Sequence, residues 1–305
     1  MNPFQQIAST YYPDSTILST WQLKGGASAQ MNALELRHTD GNTQKVIVRQ
    51  PNPHDLDENP DYLRNEFRLL KHLHTQGIRT QTPYFLDETR TFLPTPFMLL
   101  EYIEGEPDFN PRDLDGYIRQ FAQQLARIHQ IDPAHPDLAF LPNQSELVER
   151  LIDRAAHAEP TSIEGRIHDA LQRTGNIAPV SPAFLHGDFW HGNFLWKNGQ
   201  LQAVIDWEDA HIGNPLLDFA VCRLDWCLIF GREAMEAFTR YYQAETQINV
   251  RDLLYWDLMG ALRAAPMVEE WSLMYPHFGR PDITRQIMRE RHTLFVERIF
   301  QHLRH

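Results

Sequence analysis

Two cysteines in 305 residues are too few for a disulfide framework, and Cys222 and Cys227 do not form a metal knuckle. Both fall within one predicted helix, where they read as packing residues. No apolar run approaches the ~20 residues of a membrane span. The start, Met1-Asn2-Pro3-Phe4-Gln5-Gln6, has neither the basic nor the apolar region of a secretory signal, so the expectation is a cytoplasmic chain without a membrane partner. Basic residues are also in short supply. Against 40 Asp and Glu stand 28 Lys and Arg, a formal charge of −12; this argues against nucleic acid as a partner and is compatible with a cationic ligand. There is no internal repeat, low-complexity stretch or long linker, and the 15 histidines show no metal-ligand spacing.

What is present is a large and ordinary globular composition, with 22% charged and 42% hydrophobic residues. A chain of this length buries a sizeable core and divides into domains or lobes. The first hundred residues predict a small sheet with one helix. Strands are expected at 16–23, 31–37 and 45–50, with Asp40-Gly41 turning between the second and third. Asn59-Pro60 is expected to open a helix, whose Leu63, Phe67, Leu70 and Leu73 recur at helical spacing and should face the sheet. Residues 97–103 read as a buried strand, broken by Glu104-Gly105-Glu106-Pro107. Thereafter the pattern is helical, at 114–129, 144–156, 163–172, 215–230, 233–243, 251–267 and 284–303.

The chemistry concentrates in His186-Gly187-Asp188-Phe189-Trp190-His191-Gly192-Asn193 and, further on, Ile205-Asp206-Trp207-Glu208. Between them, Asn198-Gly199 is a strong two-residue hairpin signal. If the turn closes there, Lys197 pairs with Gln200, Leu195 with Gln202 and Asn193 with Val204. Asn193 and Asp206 then point the same way at the open end of the hairpin, since side chains alternate along a strand. An amide oxygen and a carboxylate are hard ligands suited to Mg²⁺. Asp188 lies just upstream, where it could take a proton from a hydroxyl. Singly, each residue has an ordinary explanation: Asp188 as a turn cap, His186 as a satisfied loop histidine. The ordered set is harder to obtain by chance.

The run H-G-D-x-x-x-x-N, then I-D-W-E, then Gly213-Asn214-Pro215-Leu216-Leu217-Asp218-Phe219-Ala220 resembles the aminoglycoside phosphotransferase and choline kinase-like family. The resemblance implies an α+β, protein-kinase-like fold of two lobes. The small N-terminal lobe, 1–103, would have an antiparallel sheet and one helix and bind nucleotide. The larger, mainly α lobe, 104–305, would hold the catalytic and acceptor-binding residues, with the site in the cleft. It further implies transfer of the γ-phosphoryl group of ATP, or GTP, to a hydroxyl of a small molecule. Asp188 would be the catalytic base, and Asn193 and Asp206 would hold Mg²⁺. His186 would brace the loop and Asp218 would tie the next helix to it; a first-turn acid also favours the helix dipole by ~0.3–1 kcal/mol, and the two roles are compatible.

By the same resemblance, small residues at Gly25, Gly26 and Ser28 would let backbone N–H groups approach phosphate. Arg49 stands where a kinase places its phosphate-pairing lysine; it keeps the charge but not the geometry. Glu66 would pair with Arg49, or else make a plain contact along its own helix. Glu101, Tyr102 and Ile103 would lie against the base, with hydrogen bonds from main chain. Only eleven residues separate Asp206 from Asp218, which leaves no room for a long peptide-docking loop and favours a small acceptor over a protein. Two other readings stay open: a silent nucleotide-binding module, and a metabolite kinase for an acceptor such as choline or homoserine. Trp256, Asp257, Glu269, Glu270 and Trp271 could surround a cation, although tryptophans at helical spacing are commonly core. The sequence leaves the acceptor, the choice of ATP or GTP, and the oligomeric state open.

Overall fold

The computed structural model describes residues 2–23, 29–174, 177 and 180–303. The chain divides into two compact units, Met1–Glu104 with Gln202–Ile205, and Gly105–Leu201 with Asp206–His305.

The first unit opens with α1 (Pro3–Tyr11), followed by β1 (Ser15–Gln22), β2 (Ala29–His38) and β3 (Thr43–Pro51). Next come the short α2 (Pro53–Glu58), α3 (Tyr62–Thr75), β4 (Pro83–Asp87) and β5 (Phe97–Glu101). The five strands form one antiparallel sheet in the order β1-β2-β3-β5-β4. Leu34, Leu36, Val46, Val48, Phe97 and Leu99 share one face by the two-residue period and pack with Ile7 and Ala8 of α1. The alternate residues Ala33, Ile47, Met98 and Leu100 are buried too, so the central strands are covered on both faces and read as continuous apolar runs.

Among the described residues the unit carries three helices where the sequence predicts one. Asn2 caps α1, its Oδ1 accepting the Phe4 N–H at 3.0 Å, with Pro3 in the first turn. Asn52-Pro53 opens α2, again with proline in the first turn but with no side-chain cap hydrogen bond. The expected cap at Asn59-Pro60 is instead a turn: Asn59 Oδ1 accepts from the Asp61 N–H at 3.1 Å, and α3 begins at Tyr62. Of the predicted stripe, Leu63, Leu70 and Leu73 are buried and Phe67 is half-buried, with Leu69 added. Val204 belongs to this unit because its N–H donates to the Arg79 carbonyl at 2.8 Å.

The second unit is mainly helical: α4 (Leu114–His129), α5 (Ser145–Ala156), α6 (Ile163–Arg173), then β6 (Ala183–Leu185), β7 (Phe194–Lys197), β8 (Gln200–Val204, of which Gln202–Val204 count with the first unit) and β9 (His211–Gly213). It ends with α7 (Pro215–Phe230), α8 (Arg232–Thr246), α9 (Leu253–Ala264) and α10 (Arg285–His302). Strands β6 and β9 pair antiparallel, and β7 pairs with β8. Helix α7 packs on α8, α9 and α10 and buries residues on every side, as a helix apolar all round must. Gly260 lets α9 come close: a Cβ there would lie 3.3 Å from the Ala220 backbone of α7. Cys222 and Cys227 are buried, free and on α7. Among the described residues no helix is long and apolar enough to cross a membrane.

Candidate active site

The loop from His186 to Asn193 is fixed by α7 from below and by its own turn. Asp218, in the first turn of α7, accepts the His186 N–H at 2.8 Å and the Gly187 N–H at 3.1 Å. His129 of α4 places Nε2 3.4 Å from the same carboxylate and Nδ1 2.6 Å from the Tyr242 hydroxyl. Burial opposes a charge at Asp218, but the hydrogen bond and charge of His129, with His211 and His186 nearby, hold its carboxyl down at about 2. Both roles expected of Asp218 are therefore present, the tie to the loop and the acid in the first turn. Cys222 Sγ adds a second tie, 3.0 Å from the Phe189 carbonyl.

Gly187 has φ +84°, and a Cβ there would fall 2.1 Å from the Asp209 carbonyl oxygen. Only glycine satisfies both conditions. His186 is fully buried, accepts the Asp188 N–H on Nδ1 at 3.2 Å, and packs against the tilted Trp207 ring with centroids 4.4 Å apart. His191 is likewise enclosed, with Tyr117 Oη 3.1 Å from Nδ1; burial, then the charge of Arg280, pushes its pKa down to about 3. It is a neutral core histidine.

Asp188 is thereby presented at the end of a braced loop. Asn193, in the single 3-10 turn before β7, donates Nδ2–H to the Asp188 main-chain oxygen at 2.9 Å and to its Oδ2 at 3.0 Å. Both amide protons are then committed to Asp188, so Oδ1 is the atom Asn193 offers to a cation. Asn198 and Gly199 have φ of 53° and 72°, the left-handed pair of a type I′ turn, and the hairpin closes where the sequence puts it. Asn193 directly precedes β7 and Asp206 follows β8 by two residues. Asp206 is exposed and left-handed, φ 67°, a conformation Asp tolerates through its short polar side chain. The donor chemistry of Asn193 and Asp206, two hard oxygens, fits Mg²⁺.

Arg263 of α9 joins the site without any motif in the sequence to announce it. Its guanidinium donates to the Gly187 carbonyl at 2.5 Å and lies 3.6 Å from Asp188 Oδ1 and 3.8 Å from Asp209 Oδ2. Burial raises the Asp188 carboxyl above its ordinary value, against the pull of Arg263 and with a push from Asp209. The one signal for Arg263 is a cation embedded in the apolar sequence Leu258-Met259-Gly260-Ala261-Leu262-Arg263-Ala264. Asp188 and Arg263 line a cavity of about 200 Å³ together with Asp225 of α7, Trp190 and Trp271.

In the first unit, Arg49 Nε reaches Glu66 Oε1 at 2.8 Å and Oε2 at 3.0 Å, both side chains largely buried. The expected pair forms, and Glu66 is not a surface contact on its own helix. Glu101 N–H is committed to the Thr82 carbonyl at 2.9 Å and Tyr102 N–H to Lys45 at 3.4 Å. The Glu101 carbonyl accepts from Gln81 Nε2 at 3.3 Å. Among the described residues, the main-chain N–H and carbonyl of Ile103 have no partner. Gly25, Gly26 and Ser28 lie outside the described residues. The grouping of Trp256, Asp257, Glu269, Glu270 and Trp271 does not form: Asp257 pairs with Arg223 at 2.9 Å, Glu269 with Arg289 at 2.6 Å and Glu270 with Arg285 at 3.1 Å. Trp256 is core, and Trp271 alone of the five faces the cavity.

Comparison with known proteins gives a consistent answer. A model of a family described as "Phosphotransferase enzyme family" matches residues 22–254. Among curated proteins, the chain is 24% identical over 249 residues to mouse acyl-CoA dehydrogenase family member 10, covering 75% of this chain and 23% of that protein. It is 23% identical over 180 residues to homoserine kinase of Polaromonas naphthalenivorans strain CJ2, covering 55% of each. The chain thus spans about a quarter and about half the length of these relatives. Among solved structures, macrolide 2′-phosphotransferase from Brachybacterium faecium superposes with TM-score 0.64 at 15% identity, covering 93% of this chain and 95% of that one. The complex of APH(2″)-IIIa with GDP and kanamycin superposes with TM-score 0.63 at 16% identity, covering 99% and 97%. The α+β fold is that of the protein-kinase-like phosphotransferases.

Proposed function

Because the chain belongs to the phosphotransferase enzyme family, we propose that it transfers the γ-phosphoryl group of ATP or GTP to a hydroxyl of a small, cationic acceptor. One observation carries this reading: Asp188 is held by Asn193 and Arg263 on the wall of a cavity, its carboxyl raised by burial toward a useful base. In the proposed step the acceptor hydroxyl gives its proton to Asp188. Its oxygen bonds the γ-phosphorus as the bond to the bridging β,γ-oxygen breaks, and the nucleoside diphosphate leaves. Arg263 steadies the carboxylate and orients it through the Gly187 carbonyl.

Asn193 Oδ1 and the Asp206 carboxylate would hold Mg²⁺, which when bound neutralises phosphate charge. Arg49, kept in place by Glu66, would contact phosphate oxygens, as would the backbone near Gly25, Gly26 and Ser28. Ile103 would supply the main-chain hydrogen bonds to the base beside Glu101 and Tyr102. The GDP and kanamycin of the APH(2″)-IIIa complex and the homoserine kinase relative support a nucleotide donor and a small hydroxylated acceptor.

The test is nucleoside diphosphate release over a panel of hydroxylated amines, with Asp188→Asn as the discriminating variant. The expected outcome is turnover lowered by roughly 10²–10⁴-fold with nucleotide binding retained. Unchanged turnover would remove Asp188 from the role of base. Nucleotide binding without turnover on any acceptor would favour a silent module.

A further inference from the structure

Helices α7 and α9 are apolar around their circumference yet carry five charged residues: Asp218, Arg223, Asp225, Asp257 and Arg263. A charge inside such a helix needs a partner. Four have one. Asp218 holds the loop backbone, Arg223 and Asp257 form a two-pronged pair at 2.9 and 3.0 Å, and Arg263 is committed to Gly187 and Asp188. Asp225 has neither a hydrogen bond nor an ion pair among the described residues. It lines the same cavity as Asp188.

We infer that Asp225 receives the ammonium group of a compact amino-alcohol acceptor inside that cavity, while Asp188 meets the hydroxyl; this rests on the kinase reading above. Three features select an ammonium. The remaining walls are apolar or aromatic, from Val221, Leu224 and Met274 to Trp190, Trp271 and Tyr275, and aromatic faces attract a desolvated cation. The one cation among the lining residues, Arg263, already serves the loop and Asp188, so the Asp225 carboxyl is left for a ligand. A neutral hydroxyl would leave the Asp225 carboxyl protonated, whereas an ammonium favours its ionised form. Burial, and then the proximity of Asp188, pushes the Asp225 carboxyl up to about 8 against Arg263; an incoming ammonium supplies the missing counter-charge. Size selects a compact molecule. A volume of about 200 Å³ is below the ~300–1,000 Å³ typical of pockets for drug-sized ligands, so a hydroxyl and an amine separated by a few carbons fit, whereas a trisaccharide antibiotic does not.

The experiment compares ethanolamine with propanol and choline with its carbon isostere dimethylbutanol, with kanamycin as an oversized amine. Each is tested with nucleotide and Mg²⁺ on the wild-type chain and on Asp225→Asn. The wild type is expected to favour each ammonium over its isostere, and over kanamycin, by roughly 10–100-fold in kcat/KM, the worth of a charge-assisted hydrogen bond for ethanolamine and of desolvated cation–π and ion-pair attraction for choline, which has no N–H to donate. In Asp225→Asn the ratio should collapse toward one, mainly through KM. The preference within the wild type needs no variant, so a misfolded Asp225→Asn leaves the test intact. Equal use of ammonium and isostere, a ratio preserved in Asp225→Asn, or better use of kanamycin would overturn the assignment. If no acceptor is phosphorylated while nucleotide binds, the kinase reading fails, and calorimetry with ethanolamine and choline alone decides the inference. Binding weakened about tenfold in Asp225→Asn would sustain it, and absence of binding would refute it.

Discussion

Asp218 and Asp225 lie seven residues apart on α7, two turns along the same apolar helix, and their carboxyl groups are driven in opposite directions. Asp218 is held at about 2 and Asp225 is raised to about 8, although burial disfavours the charge on both. What separates them is the supply of donors. The first turn of α7 faces the loop backbone, which offers two N–H groups, and α4, which offers His129. The middle of the helix faces a cavity whose donors, Arg263 among them, make no hydrogen bond to Asp225 among the described residues. Asp218 is buried and Asp225 is partly accessible through the cavity, yet burial disfavours the charge on both, so it alone does not decide what such an acid does. Donors make it part of the frame, and their absence leaves it for a ligand.

The comparison is broken most severely at Asp218. Asp218→Asn keeps the shape but removes the charge and turns an amide against backbone donors. The expected loss is about 2–4 kcal/mol of stability, read from urea unfolding, together with loss of turnover as the loop carrying Asp188 loosens. Stability within a few tenths of a kcal/mol of wild type would show that the N–H groups find water instead. The opposite sign is expected at Asp225. Asp225→Leu replaces an unpartnered acid by a side chain matching its apolar walls, and should stabilise the chain at neutral pH by about 1–3 kcal/mol while abolishing use of amino alcohols. A destabilised Asp225→Leu would mean that the acid has a structural partner after all.

These two residues also mark how far the sequence could be read. Helices α4 and α7 fall at the predicted bounds, 114–129 and 215–230, because caps and a proline announce them. The Asn198-Gly199 hairpin and the Asp188–Asn193 loop were legible for the same reason: local chemistry determines local geometry. Helix α1 has a local signal as well, with Phe4, Ile7, Ala8 and Tyr11 at helical spacing behind an Asn-Pro cap. Arg263 was not readable, since it meets Asp188 across 75 positions of chain. Periodicity tells which face of a helix is buried. In a helix buried all round, such as α7, it cannot tell which neighbour each charge will find, and that left Asp225 and Arg263 out of the expected site. The cation-binding group drawn from Trp256 to Trp271 failed likewise: its acids already had arginine partners that lie elsewhere in the sequence.

The smallest effect is the most specific, because the pH profile separates Asp225 from the other perturbed groups. The folded pKa of Asp225, about 8, exceeds the ordinary 3.8, so its contribution to stability is full below about pH 4 and is lost as pH rises through 8. His191 works the other way: with a folded pKa of about 3 against 6.5, it makes stability rise between pH 3 and 6.5 and has no effect above. The two oppose each other up to pH 6.5. From there to pH 8 Asp225 acts without that opposition, and stability should decline with a slope below the limiting ~1.4 kcal/mol per pH unit, since the cavity admits some solvent. Asp225→Asn should flatten the decline measured by urea midpoints across this window, and His191→Gln should leave it in place while flattening the acid side. Saturating ethanolamine should flatten it too, because an ammonium held on Asp225 keeps the carboxyl ionised in the folded state, as it is in the unfolded one. A decline that persists in Asp225→Asn would assign the titration to Asp188, whose carboxyl is raised by the same burial, and would return Asp225 to the apolar frame of α7.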